Sequence, residues 1–253
     1  SISIFIKFIT IIVIFLIIYN KSYIEKSNSN ILFINLKKNS KWITLNGILI
    51  QFYDLFDKYL IKFFLGATAL ATYSVPQQLT GKLSIISKSF SAYLLPDLSK
   101  KKINNNDFEF SLNLFLTIIP IFVFLLFPFY SYILEIWLRN SYNEEILILT
   151  KIFSLSVIFS CSSHILITKF EASKTLKKNL KIELILMPIF LFSLFYLIQM
   201  KYSLIVISIL ILTKEYILFI LRLYLLKYYL KKFQKYLLYS LFLILILLLS
   251  FFL

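Results

Sequence analysis

Charged and amide side chains recur inside segments of this chain that are otherwise apolar, and their types suit the binding of a charged ligand. Gly47, Gln51, Asp54, Lys58 and Lys62 follow a 4, 3, 4, 4 spacing that puts them on one helical face, with Asp57 beside it. A second set, Ser74, Gln77, Gly81, Ser84, Lys88 and Ser91, is spaced 3, 4, 3, 4, 3 and forms a continuous polar stripe, widened by Gln78, Lys82 and Ser89. Asp54 and Lys58 could neutralise each other at i, i+4 while Lys62 snorkels to headgroups. Lys82 and Lys88 have no acid between Gly66 and Pro96, so they require either an acid from another segment, Asp54 or Asp57, or an anionic ligand.

Three more positions carry ionisable groups. Lys214 and Glu215 sit side by side in a late apolar segment, where they would pair, and Arg222 lies near its end, where it would snorkel. Ser208, Glu215 and Arg222 share a face at i, i+7 and i+14. His164 is the sole histidine and lies among Ser156, Ser160, Ser162, Ser163 and Thr168; a satisfied packing role is expected of it, and helix-helix contacts of the hydroxyls. The single cysteine, Cys161, is expected to be an inert buried thiol. No Cys/His cluster, phosphate-cradling glycine loop or nucleophile elbow occurs in a chain with only three glycines, so neither an enzyme nor a cofactor is expected.

The segments that must position these residues are membrane spans. The chain has 253 residues, 60% of them hydrophobic. Its mean hydropathy of +0.85 excludes a soluble core. The pattern predicts an all-α, polytopic bundle of eight spans at about 4 to 19, 42 to 64, 69 to 96, 110 to 138, 146 to 169, 182 to 199, 203 to 226 and 236 to 253. Gly66 marks a tight link between the second and third spans, Pro96 and Asp97 the end of the third, and Pro120 and Pro128 a kinked fourth. An unpaired charge near the bilayer centre costs about 2.5 to 3.5 kcal/mol, so the charged faces must line protein or water rather than lipid.

Basic residues in the loops set the orientation. Alternate loops hold sixteen lysines: Lys21, Lys26, Lys37, Lys38 and Lys41; Lys100 to Lys102; Lys174, Lys177, Lys178 and Lys181; Lys227, Lys231, Lys232 and Lys235. The intervening loops hold only Arg139 and Lys201, so the lysine-rich set is expected to be cytoplasmic. The net charge of +15 is thereby assigned to membrane headgroups rather than to nucleic acid. Residue 1 would then lie outside, and further spans are expected before it.

The segment DLFDKYLIKFFLGATALATYSVPQQLTGKLSIISKSFSAYLLPDLSK, from Asp54 to Lys100, resembles the middle of bacterial O-antigen and polysaccharide flippases of the multidrug/oligosaccharidyl-lipid/polysaccharide exporter superfamily. Outside it the similarity is confined to span spacing and to cues such as I-W-L at 136 to 138. The resemblance implies two six-helix lobes about a central cavity. Residues 1 to 41 would be the last helix of the first lobe and a cytoplasmic linker, 42 to 235 the second lobe, and 236 to 253 an additional helix. It further implies a transporter of the bacterial cytoplasmic membrane that moves a polyprenyl-pyrophosphate-linked oligosaccharide by alternating access. Other polysaccharide-assembly proteins would be partners, and Asp54, Asp57, Lys58, Gln77, Lys82 and Lys88 would lie in the cavity. The competing expectations are an ion-coupled drug antiporter, which should present unpaired carboxylates, and an integral-membrane enzyme, which should carry a large acidic or histidine-bearing loop.

Overall fold

The computed structural model describes residues 30 to 99, 105 to 173, 175 to 227, 230, 235 and 236. The expected spans at 4 to 19 and 236 to 253 lie outside these residues but for Tyr236, as do Lys100 to Lys102, Lys174, Lys231 and Lys232. The chain divides into two units, Ser1–Lys41 and Trp42–Leu253. In the first, residues 30 to 41 are helical, although a loop was expected there.

The regular elements are α1 (Asn30–Gly81), α2 (Ser84–Ser99), α3 (Asn105–Leu126), α4 (Tyr130–Leu138), α5 (Glu144–Ala172), α6 (Leu176–Gln199) and α7 (Leu204–Leu225). Among the described residues, four stretches are long and apolar enough to cross a membrane: Asn105–Leu138, Glu144–Ala172, Leu176–Gln199 and Leu204–Leu225. The described residues are thus all-helical, with four candidate spans where eight were expected along the whole chain, and such helices satisfy their own backbone groups where no water is at hand.

α1 is interrupted at Gly66, where φ is 92° and ψ 178°. That region is open essentially to glycine alone. Sixteen residues of straight helix would separate Asp57 from Tyr73 by about 24 Å. Their side chains instead meet at 2.6 Å, so the chain folds back at Gly66 into two arms, as the sequence led us to expect.

The expected third span is not continuous. It breaks after Gly81, where amides reach back three residues instead of four: Lys82 N–H to the Leu79 carbonyl at 3.3 Å and Leu83 N–H to that of Thr80 at 3.0 Å. Local chemistry favours the break. Pro76 supplies no N–H, the Thr80 hydroxyl takes the Pro76 carbonyl at 2.9 Å, and that of Ser84 takes the Gly81 carbonyl at 2.7 Å. Helix resumes as α2 and runs through Pro96 to Ser99. In the fourth span the interruption falls at Pro128 in a 3-10 turn (Phe127–Phe129), whereas Pro120 is accommodated within α3.

α5 is the central helix and packs against α2, α3, α6 and α7. Of its most apolar stretch 78% is buried, against 22 to 39% for the other three spans. Its N-terminus is capped by Asn143, whose side chain accepts from the Ile146 N–H at 2.8 Å, and Glu144 and Glu145 complement the dipole of the first turn. Its small hydroxyl residues let neighbours approach closely, yet most of those hydroxyls do not bridge helices. Thr150, Ser154, Ser156, Ser162 and Thr168 each donate to a carbonyl three or four residues back in α5.

Two apolar cores flank this helix. One joins Leu94, Phe108, Leu112, Phe159, Leu166 and Phe219; the other joins Tyr53, Ile61, Tyr73, Phe153, Leu194 and Ile207.

Candidate functional site

A cleft of about 290 Å³ is lined by residues of α1, α2, α5, α6 and α7. Such a volume, at the small end of ligand pockets, suits a polar headgroup better than a long chain. Of the residues singled out in the sequence, Asp57, Lys58, Gln77, Lys88, Lys214, Glu215 and Arg222 all line it, joined by Gln78, Gly81, Ser84 and His164. Gln77, Gly81, Ser84 and Lys88 all line the cleft although the turn at 81 to 83 interrupts the helix between them.

Lys82 does not line the cleft. It occupies the tight turn itself, and its side chain is exposed. Gln51 and Lys62 are exposed and off the cleft as well. Asp54 belongs to α1, but its side chain lies outside what is described.

The acids of the cleft are each engaged. Asp57, 4% exposed, accepts the Tyr73 hydroxyl on Oδ2 at 2.6 Å and the Lys58 backbone N–H on Oδ1 at 2.6 Å, with the Gln77 amide nitrogen 3.5 Å from Oδ2. Glu215 pairs with Lys214 at 3.1 Å, as expected of these neighbours. The Lys214 ammonium also sits 4.9 Å from the Tyr53 ring centre and 4.8 Å from that of Phe190, a two-ring cage that further offsets its charge.

Arg222 departs from expectation. A snorkelling residue would be exposed, but Arg222 is 4% exposed and Glu183, its partner on α6, 1%. Its Nη2 meets Glu183 Oε1 at 2.5 Å, and its Nε donates to Asn179 Oδ1 at 2.9 Å. The Asn179 amide nitrogen then donates to Glu183 Oε1 at 2.9 Å and to Asn46 Oδ1 at 3.2 Å. Tyr53 closes the network by donating to the Glu183 backbone carbonyl at 3.0 Å. α1, α6 and α7 are thereby tied together by buried polar groups, where an unpaired charge would be costly. Asn46, Asn179 and Glu183 were not singled out in the sequence. α6 starts at Leu176 rather than near 182, which puts Asn179 and Glu183 one turn apart on one face.

Lys58 and Lys88 are left. Lys58 is half-buried and Lys88 exposed, and neither joins an ion pair among the described residues. Among the described residues, four cations against three carboxylates give the lining one excess positive charge, with Lys58 and Lys88 facing the single unpaired carboxylate of Asp57. Among the described residues no cluster of side chains suits a metal ion. Cys161 is buried, with its thiol 3.9 Å from the Leu83 carbonyl at the helix break.

The chain is 25% identical over 142 residues to a Shigella flexneri protein named "Putative O-antigen transporter"; the match takes in 54% of this chain and 33% of that protein. The chain thus spans about a third of the relative's length. No protein-family model matches, and no solved structure does. The apolar helices describe a multi-pass membrane protein.

Proposed function

We propose that this chain is the part of a bacterial flippase that holds the charged headgroup of its cargo, a polyprenyl-diphosphate-linked oligosaccharide, as that cargo crosses the cytoplasmic membrane by alternating access for O-antigen or capsular polysaccharide assembly. The observation that carries the proposal is the net positive charge of a polar cleft among apolar helices, where Lys58 and Lys88 join no ion pair among the described residues. A diphosphate brought from water into such a cleft loses hydration, and the two ammonium groups, which outnumber the one remaining carboxylate of Asp57, offset part of that loss. The polyprenyl tail would remain in the bilayer. The name of the Shigella flexneri relative supports this cargo class. Lysine-rich loops facing the cytoplasm would set the chain's orientation.

A cation-exporting antiporter fits less well, because Asp57, Glu183 and Glu215 are already engaged by Tyr73, Arg222 and Lys214. With substitutions placed in the chromosomal gene, Lys88→Gln should reduce surface polysaccharide at unchanged protein abundance, and Lys88→Arg should restore much of it. Lys82→Gln, which removes a charge that lies off the cleft, should have little effect. Equal losses in Lys82→Gln and Lys88→Gln would overturn the assignment to the cleft.

A further inference from the structure

Residues 42 to 81 of α1 form a hairpin that is pinned across its own middle, since Asp57 on the first arm receives the Tyr73 hydroxyl of the second at 2.6 Å. Toward Gly66 the hairpin packs on the bundle through Leu60, Ile61 and Tyr73, and such apolar contacts have no preferred direction and tolerate tilting. At the end remote from Gly66 its ties are neutral hydrogen bonds and ring contacts. Asn46 Oδ1 accepts from the Asn179 amide at 3.2 Å, and the Tyr53 hydroxyl donates to the Glu183 carbonyl at 3.0 Å. The rings of Trp42 and Tyr53 lie against Lys177 and Lys214. Among the described residues no ion pair fastens the hairpin to another helix. Letting go of both hydrogen bonds would leave the buried charges satisfied, because Arg222 keeps Glu183 and Asn179, and Asn179 keeps Glu183. Leu45, Ile48, Phe52 and Leu55 are exposed, so the first arm meets the bundle along one narrow face only.

The hairpin meets α2 at a joint suited to bending. The amides of Lys82, Leu83, Ile85 and Ile86 all reach back three residues, and a stretch of that kind inside a helix has poorer hydrogen bonds than the α-helical ladder and often marks a hinge. The Thr80 and Ser84 hydroxyls bond carbonyls of the preceding turn, which favours a bend, and nothing stands within 4 Å of where a Cβ on Gly81 would be, which leaves room for one. Past the joint the chain is fixed. Ser87, Leu94 and Leu98 of α2 are buried, and the Cys161 thiol of α5 lies against the Leu83 carbonyl. Lys58 rides on the hairpin and Lys88 on α2, so the two ammonium groups of the cleft stand on opposite sides of the joint. An anion that touches both binds best where they approach each other, and that difference in affinity shifts the hairpin toward the closed position. We infer that residues 42 to 81 are a gate that tilts about the joint at 81 to 83 and closes on the anion held between Lys58 and Lys88. This rests on the anion-binding reading above and adds which part of the chain moves and what closes it.

The test is to measure distances by pulsed electron spin resonance on the purified chain in lipid nanodiscs, with spin labels on pairs of cysteines introduced at exposed positions; Cys161 is buried and stays in place. Between Leu45, at the free end of the hairpin, and Phe110 on α3, two distances are expected, and decyl diphosphate should deplete one of them. Tyr53→Phe, which removes one hydrogen bond of the latch, should raise the ratio of the depleted to the retained distance by about 2- to 10-fold before any probe is added. Leu45 paired with Ala71, both within the hairpin, and Ile85 paired with Phe110, both on the fixed side, should each keep one narrow distance throughout. A single unchanging distance between Leu45 and Phe110, in the unaltered protein and in Tyr53→Phe alike, would overturn the gate and leave the anion-binding reading standing. Two distances indifferent to decyl diphosphate that calorimetry shows to be bound would overturn closure on the anion. A change between Ile85 and Phe110 would overturn the joint at 81 to 83, and one between Leu45 and Ala71 the rigid hairpin. Absence of binding by calorimetry would overturn closure and the flippase reading together, while the response to Tyr53→Phe still decides whether the hairpin moves.

Discussion

Arg222 Nη2 on α7 meets Glu183 Oε1 on α6 at 2.5 Å, with both residues almost wholly buried. The pair is held by Asn179, which accepts from the arginine and donates to the glutamate. Such a pair is costly to break from one side, because the surviving charge stays buried without a partner. Arg222→Met should therefore destabilise the protein by about 3 to 5 kcal/mol, seen as a lower melting temperature in detergent. Combining it with Glu183→Leu should recover much of the loss. A double variant no more stable than Arg222→Met alone would show that the network matters for something other than charge balance.

The fold-back at Gly66 rests on a backbone conformation that side-chain-bearing residues rarely adopt. Nothing lies within 4 Å of where a Cβ would stand, so the cost of Gly66→Ala comes from the backbone alone. It should be about 1 to 3 kcal/mol, with a matching fall in folded yield by size-exclusion profile. A yield equal to the unaltered protein's would contradict the left-handed turn.

Tyr73 and Tyr59 make a matched comparison on the two arms. Tyr73 is fully buried and donates to Asp57, whereas Tyr59 is 63% exposed. Removing the hydroxyl with Tyr73→Phe should cost about 1 to 3 kcal/mol, because the carboxylate loses a donor where water cannot replace it. Tyr59→Phe should change the melting temperature little. Equal effects would mean that the hydroxyl of Tyr73 is not what secures the hairpin.

Much of this architecture is legible in residue spacing, and the parts that are not have a common physical origin. Apolar runs of membrane length, the turn at Gly66, the shared cleft of Gln77, Gly81, Ser84 and Lys88, and the Lys214/Glu215 neighbours are local features, and local periodicity reveals them. The place of Lys82 was missed because a spacing argument assumes an unbroken helix, and Pro76 with Gly81 five residues on was the signal of the break. Arg222 was misjudged because its partner stands 39 residues away on another helix. No single-helix pattern can show such a pairing. The i, i+4 placement of Asn179 and Glu183 was the available hint, obscured by the lysines around them that made the segment look like loop.

Orientation can be read by chemical labelling. Single cysteines at Asn105, which begins α3, and at Asn143, which caps α5, should behave oppositely in intact cells. Only the Asn143 site should react with an impermeant thiol reagent, as the lysine-rich ends face the cytoplasm. Labelling of the Asn105 site from outside would reverse the topology.

The central claim is that Lys58 and Lys88 form an anion site inside the bundle, and binding of decyl diphosphate by calorimetry addresses it directly. Removing one ammonium from a charge-assisted contact costs about 1.5 to 3 kcal/mol, so Lys88→Gln should weaken binding about 10- to 100-fold. Lys88→Arg should hold it within a few-fold, and Lys62→Gln, an exposed lysine off the cleft, should leave it unchanged. Undiminished binding in the Lys58→Gln/Lys88→Gln double variant would contradict the account.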